Sequence, residues 1–179
     1  MKMVALLRGI NIGGNRKVPM SDLCDIAEKT GLTEVQSYIQ SGNLVFEAGK
    51  MKIDQVVTLL EETIEKRFGF QVDVIIRTAT QWKKYSSKRP FFSAARDRPN
   101  LLLLGLCKGP CNKDIAVKLS EYVIHGEKIK IVGDAIWVDF VKSIGNSKLT
   151  PAVFDRAVGS TVTMRNWNTV LKLEQMLNE

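Results

Sequence analysis

The chain has 179 residues, 45% of them hydrophobic and 25% charged, and a formal net charge of +7. Ordinary apolar content excludes disorder as a description of the whole, and no apolar run approaches the ~20 residues of a membrane span. Arg8 breaks the opening apolar run too early for a secretory signal, so the expectation is a soluble cytoplasmic protein of one domain or two small subdomains.

Residues 2–7 are apolar on consecutive positions and read as a buried strand. A loop containing Gly9, Gly13 and Gly14 comes next and ends at Val18-Pro19. Ser21 then reads as the cap of a helix carrying Leu23, Ile26 and Ala27 on one face, with Gly31 as its stop. Glu34 to Ile39 reads as a strand, Gln40-Ser41-Gly42-Asn43 as a turn, and Leu44 to Phe46 as the returning strand. Ile53, Val56, Val57, Leu60, Ile64 and Phe68 share one face of a helix that Gly69 ends. Val72 to Ile76 is a further strand. This is the order β-α-β-β-α-β of the ferredoxin-like unit.

The second half runs in the same order. Leu101 to Leu106 reads as a strand, and Asn112 as the cap of a helix with Ile115, Leu119 and Tyr122. Lys128 to Val132 and Ala135 to Val141 form a hairpin across Gly133-Asp134. Thr150-Pro151 starts a helix and Gly159 stops it. Ser160 to Thr163 reads as a short closing strand, and a last helix places Trp167, Val170, Leu171 and Leu177 on one face. The expected fold class is α+β: two ferredoxin-like halves, 1–77 and 100–179, packed together, joined by a segment 78–99, plus a C-terminal helix. The strands at 3–7 and 101–104 are apolar on both alternating faces and should be covered on both.

The charge is uneven. Residues 77–98 hold seven Lys/Arg against Asp97 alone, while the rest of the chain is close to neutral. Lys83, Lys84, Lys88 and Arg89 interleave there with Trp82, Tyr85, Phe91 and Phe92, a pattern of cations and π-faces suited to single-stranded nucleic acid. A core helix using Trp82 and Tyr85, followed by a solvated loop, accounts for the same residues.

Cysteine and histidine are scarce: Cys24, Cys107, Cys111 and His125. The odd count and the three-residue spacing of Cys107 and Cys111 argue against a disulfide framework and a structural zinc, so no metal and no cofactor are expected. His125 reads as a turn residue.

The loop from Arg8 to Lys17 stands between a strand and a helix, where phosphate loops occur. Gly9 and Gly14 have the nucleotide P-loop gap, but Asn15 and Arg16 stand where that motif needs Lys and Ser or Thr. What remains is physical: Gly9, Gly13 and Gly14 let backbone N–H groups approach an anion, and Arg8, Arg16 and Lys17 supply charge, with Arg8, Asn11, Gly13, Gly14 and Lys17 the candidate ligand-binding residues. The alternative is a plain glycine-rich connection in which the strand-end Arg8 is held by backbone carbonyls. Gln40, Ser41 and Asn43 form a polar turn, open to a ligand or simply to turn stabilisation. Arg8, Lys17 and Asn43 are expected in one cleft. In the second half Ser147-Lys148 has the composition of a nucleophile and base, although Ser147 also reads as a helix start. Arg165 and Asn166 fall at an expected helix N-terminus, where a cation calls for an anionic partner; Lys148, Arg165 and Asn166 are therefore candidate ligand-binding residues.

Ala5-Leu6-Leu7-Arg8-Gly9-Ile10-Asn11-Ile12-Gly13-Gly14, Lys17-Val18-Pro19-Met20, Tyr38-Ile39-Gln40-Ser41-Gly42-Asn43, Ser147-Lys148-Leu149 and Arg165-Asn166-Trp167-Asn168-Thr169-Val170 together resemble the domain of unknown function 1697 family. That resemblance implies a bacterial, cytoplasmic protein with duplicated ferredoxin-like halves, and no activity. The expectation from the residues is a protein that binds a phosphate-containing ligand, nucleotide or nucleic acid, with no membrane partner. An enzyme on a small phosphorylated metabolite and a non-catalytic interaction module remain alternatives.

Overall fold

The computed structural model describes residues 1–111 and 114–179; the expected cap at Asn112 lies outside them. The chain divides into two compact units, Met1–Lys83 with Leu173–Glu179, and Lys84–Lys172.

Unit 1 opens with β1 (Lys2–Leu7), α1 (Met20–Lys29), β2 (Thr33–Tyr38), β3 (Asn43–Glu47), α2 (Ile53–Phe68) and β4 (Val74–Thr78). Its sheet has the order β2-β3-β1-β4, with every pair antiparallel. This is the ferredoxin-like arrangement. Met3, Ala5 and Leu7 of β1 join Leu44, Phe46, Val74 and Ile76 on the face packed by Leu23 and Ala27 of α1 and Val56, Leu60 and Ile64 of α2. The opposite face, Val4, Leu6, Val45 and Ile75, is buried as well, as the double-faced apolar pattern of β1 required.

Helix ends obey local chemistry. Gly69 ends α2 at φ +80, a left-handed conformation that a Cβ disfavours. Ser21 does not cap α1: the helix starts two residues earlier than that cap implies, at Met20, Pro19 holds the cap position, and no side chain bonds there. A proline supplies the fixed φ of a helix entry without needing a partner for an N–H. α3 (Ala79–Ser87) begins with a reciprocal cap, in the Thr-x-x-Gln spacing of Thr78 and Gln81 that the sequence analysis did not use. The Gln81 N–H donates to Thr78 Oγ1 and the Thr78 N–H to Gln81 Oε1.

Unit 2 takes over within α3 and continues through α4 (Phe92–Asp97), β5 (Leu102–Cys107), α5 (Ile115–Ser120), β6 (Lys128–Val132), β7 (Ala135–Asp139), α6 (Pro151–Val158), β8 (Val162–Asn166) and the start of α7 (Trp167–Asn178). The sheet order β6-β7-β5-β8 is again fully antiparallel. Gly133, at φ +63, takes the first place of the two-residue β6–β7 turn. β7 stops at Asp139, short of the expected Val141, because Val141 has φ +59 and leaves the ladder. The closing strand starts and ends later than expected, so Arg165 and Asn166 finish β8 rather than open a helix as free residues. On α7, Trp167, Val170, Leu173, Met176 and Leu177 are buried, whereas Leu171 is exposed, against its expected place on the core face.

The two sheets agree in register. The Ala48 N–H donates to the Met1 carbonyl and the Phe140 N–H to that of Leu101; the Arg8 N–H donates to Asp73 and the Lys108 N–H to Thr161. Val4 pairs with Arg77, and Leu104 with Arg165. Each of these arginines turns a guanidinium N–H back to the carbonyl of the preceding residue at 2.9 Å. Leu6-Leu7-Arg8-Gly9 and Leu106-Cys107-Lys108-Gly109 thus occupy matching positions. Unit 1 is distinguished by its connection from strand to helix: twelve residues, 8–19, separate β1 from α1, and they form a structure of their own.

Candidate functional site

Ile10 is the anchor of that loop, buried to 1% exposure. Beyond it the chain makes a small hairpin: the Asn11 N–H donates to the Arg16 carbonyl and the Asn15 N–H to that of Ile12. Gly13 and Gly14, at φ +58 and +80, have the φ pattern of a type I′ turn. The glycines therefore serve turn geometry first. Both are exposed, nothing lies within 4 Å of where a Cβ would stand, and the hairpin's own bonds do not use their N–H groups.

Asn11 ties this hairpin to the rest of the unit. Its amide nitrogen donates to the Val18 and Gln40 carbonyls, each at 2.9 Å, and its oxygen accepts the Val18 N–H at 2.8 Å. Gly42 completes the joint. Its carbonyl accepts the Leu7 N–H at 2.8 Å, and a Cβ there would meet Leu7 Cβ and Ile10 Cδ1 at 2.8 Å. The glycine loop and the turn between β2 and β3 are thus one structure.

This structure is conformationally costly. Of the five non-glycine residues with positive φ among the described residues, three lie in it: Asn11 at 55°, Arg16 at 47° and Ile39 at 50°. Asparagine tolerates that region, but β-branched isoleucine does not. Ile39 is also 49% exposed and Ile12 68%. Backbone strain and exposed apolar side chains concentrate at sites with a task other than stability.

The expected residues divide by where they point. Lys17, Gln40 and Ser41 are exposed, as is Arg16, whose guanidinium lies 5.9 Å from the Phe70 ring centroid. Arg8 is half-buried. Asn11 is committed to the staple just described. Asn43 is fully buried and donates to the Tyr38 carbonyl and Ser41 Oγ, so it does not share an exposed cleft with Arg8 and Lys17: its polarity satisfies the turn from inside. No acidic residue lies between Met1 and Asp22, and Asp22 pairs with Arg67.

In unit 2, Lys148 is exposed, and Ser147 belongs to a buried clasp instead of a helix start. The Ser147 hydroxyl donates to Glu127 Oε1 at 2.5 Å, while Glu127 Oε2 accepts the N–H groups of Ile124 and His125. Burial alone would raise the Glu127 pKa. The Ser147 hydroxyl and those N–H donors outweigh it and hold the carboxyl below its ordinary value. A serine bonded to an ionised carboxylate, with its oxygen also accepting the Leu149 N–H, closes a loop. His125 sits on the Asn146 carbonyl side at 3.1 Å.

Arg165 is buried and donates to Thr163 Oγ1 at 2.8 Å. Asn166 Oδ1 accepts the Thr169 N–H, so Asn166 caps α7. The strand geometry of Arg165 removes the clash with a helix dipole expected from the sequence.

Lys83, Lys84 and Lys88 are exposed on α3, or just after it, whereas Arg89 is half-buried. The expected core use of Trp82 and Tyr85 holds, at 0% and 5% exposure. The segment expected as a solvated loop instead contains α4, with Phe92 65% exposed. Among the described residues no group of three or more His, Cys, Asp and Glu is placed to hold a metal ion, and Cys24, Cys107 and Cys111 form no disulfide with one another. Among the same residues no helix is long and apolar enough to cross a membrane.

A family model described as a protein of unknown function, DUF1697, matches residues 1–137. No curated protein matches the chain. Among solved structures, the conserved bacterial protein SP0830 from Streptococcus pneumoniae is similar with a TM-score of 0.76 and 22% identity, over 99% of this chain and 98% of that one. At that identity the likeness concerns the fold.

Proposed function

The chain belongs to the DUF1697 family of proteins of unknown function, and on that footing we propose that unit 1 binds a phosphate-containing ligand, a nucleotide or a nucleic-acid backbone, at the 11–16 hairpin and the adjoining turn. One observation carries this reading: a strained, solvent-facing hairpin, kept rigid by Asn11, presents Gly13 and Gly14 N–H groups that its own bonds do not use, beside Arg16 and Lys17, with no acid nearby in the chain. Oriented N–H groups with adjacent cations favour an oxyanion, and a rigid loop loses little entropy on binding. The matching registers of the two sheets support an origin by duplication of one ferredoxin-like unit. A cytoplasmic location fits a protein whose cysteines form no disulfide and whose ligand is a nucleotide.

The exposed Ile12 and Ile39 favour a second reading, an interaction module that docks a protein on the same surface. Calorimetric titration separates the two. The full chain is titrated with inorganic phosphate, a nucleoside monophosphate and a nucleoside triphosphate. Binding is expected to weaken at least about tenfold, or roughly 1.4 kcal/mol, in the pair Arg16→Gln with Lys17→Ala, and to persist in Lys118→Ala. No heat with any phosphate compound, at concentrations where a weak site would fill, removes the anion reading and leaves the docking one.

A further inference from the structure

The α3–α4 corner of unit 2 carries an arrangement that the hairpin reading does not use. Trp167 is 4% exposed and packs on Trp137 with ring centroids 5.8 Å apart. The Arg89 guanidinium lies 5.2 Å from the Trp167 ring centroid and 4.9 Å from that of Phe92. One of its terminal N–H groups donates to the Ser86 carbonyl, and its Nε is buried without an acceptor among the described residues. Trp167 and Phe92 therefore both contact a fixed cation. Burying an unpaired N–H carries a desolvation cost, so the stack is not arranged for stability alone.

Phe92 itself is 65% exposed. A phenylalanine that served only to hold Arg89 would gain more by being covered. Its surroundings in the chain are cationic throughout: no acidic residue occurs between Asp73 and Asp97, and Asp97 is bonded to Arg96 at 2.6 Å. Lys88 precedes Arg89, and Lys84 stands one helical turn earlier, its carbonyl accepting the Lys88 N–H. Both lysines are exposed.

We propose that this corner is a stacking platform for single-stranded nucleic acid, in which a base lies on Phe92 and the neighbouring phosphates meet Lys84 and Lys88. A rigid aromatic ring beside two exposed cations matches the planar, polyanionic chemistry of such a strand. A membrane surface is disfavoured because, among the described residues, Phe92 is the only large apolar side chain exposed between residues 84 and 111, and one residue makes a weak anchor. The inference is independent of the hairpin site, which lies in unit 1.

The test is fluorescence anisotropy of a labelled oligothymidylate with the full chain across a salt series. Phe92→Ala is expected to weaken binding roughly 5- to 150-fold, the range of one lost base stack, while the salt slope stays as it was. Phe92→Trp is expected to restore binding, with quenching of its new emission by the strand. Lys84→Ala with Lys88→Ala is expected to flatten the slope of log K against log salt by about 1.4, two phosphates' worth of counterion release. The loss on Phe92→Ala is expected to be the same with Arg16→Gln and Lys17→Ala present as without them. Unchanged affinity in Phe92→Ala overturns the proposal, as does no binding by the parent protein at low salt. So does binding only to vesicles containing phosphatidylserine, or strand binding lost with Arg16 and Lys17 but indifferent to Phe92. Because Phe92 is exposed, Phe92→Ala is expected to keep the parent melting temperature, which is measured beside it.

Discussion

The side-chain amide of Asn11 donates to the Gln40 carbonyl at 2.9 Å across 29 residues of sequence, and this bond makes a glycine loop and a hairpin turn into one surface. With the same amide also held by Val18, the hairpin is positioned by unit 1 even though its glycine tip stands in open solvent.

Asn11 combines two contributions that substitution separates. Asn11→Gly keeps the positive φ but removes the bonds to Val18 and Gln40, and is expected to cost about 1–2 kcal/mol. Asn11→Ala adds the left-handed penalty, about 1 kcal/mol more. Urea denaturation of the two variants gives the difference directly; equal stabilities would mean that the strain at this position is not felt.

Gly42 is restricted on two counts, φ +80 and a Cβ position 2.8 Å from Leu7 and Ile10 atoms. Gly42→Ala is expected to destabilise by roughly 2–5 kcal/mol, from left-handed strain of ~1–2 and overpacking of ~1–3. Gly13→Ala meets strain but no neighbour, so its cost stays near the strain alone. Thermal melts that rank the two variants equally would contradict this local packing.

Acid is expected to weaken unit 2 through two carboxylates. Burial works to raise the Asp139 pKa, but the Arg98 guanidinium, at 2.9 and 2.5 Å, and the Val141 N–H overcome it and hold it low. Glu127 is held low in the same sense. A depressed folded pKa gives stability that is complete above the unfolded value, about 3.9 for Asp and 4.3 for Glu, and is lost as pH falls through the folded value. Unfolding free energy should therefore be flat from neutral pH to about 5 and fall below about 4. Asp139→Asn should be less stable at neutral pH and show a shallower acid decline. A variant with an unchanged acid limb would show that the Arg98 pairing is not the cause.

Thiol chemistry offers an independent check on packing. Burial raises the Cys24 pKa; Glu28 and Asp25 push the same way, and a Ser37 hydrogen bond only partly opposes them. Cys107 is 1% exposed. Alkylation of the folded protein near neutral pH should leave both largely unmodified, and the Cys24 rate should climb at higher pH than for an unfolded thiol. Rapid neutral labelling of Cys107, located by peptide mass mapping, would mean that the C-terminal end of β5 opens locally.

Much of the architecture was legible in one dimension because its causes are local or periodic. The faces of α2, the doubly apolar β1 and β5, and the glycine stops at Gly69 and Gly159 come from residue spacing and backbone preference alone. The six-element order repeated in both halves, and with it the antiparallel ferredoxin-like sheet, came from those. What the tertiary structure decided is where polar groups are spent. Asn11 and Asn43 looked like ligand-facing amides, but they satisfy carbonyls that only folding brings near. Arg165 looked like a cation at a helix start, yet a shift of the β8–α7 boundary made it a strand residue bonded to Thr163. Arg89 looked like one more surface cation, and it lies between two rings, Phe92 and Trp167, the second 78 positions away in the chain. Hydrophobic pattern is written along the chain because burial depends on face. A hydrogen bond or a stacked pair depends on which distant residue arrives beside it, and spacing along the chain does not carry that.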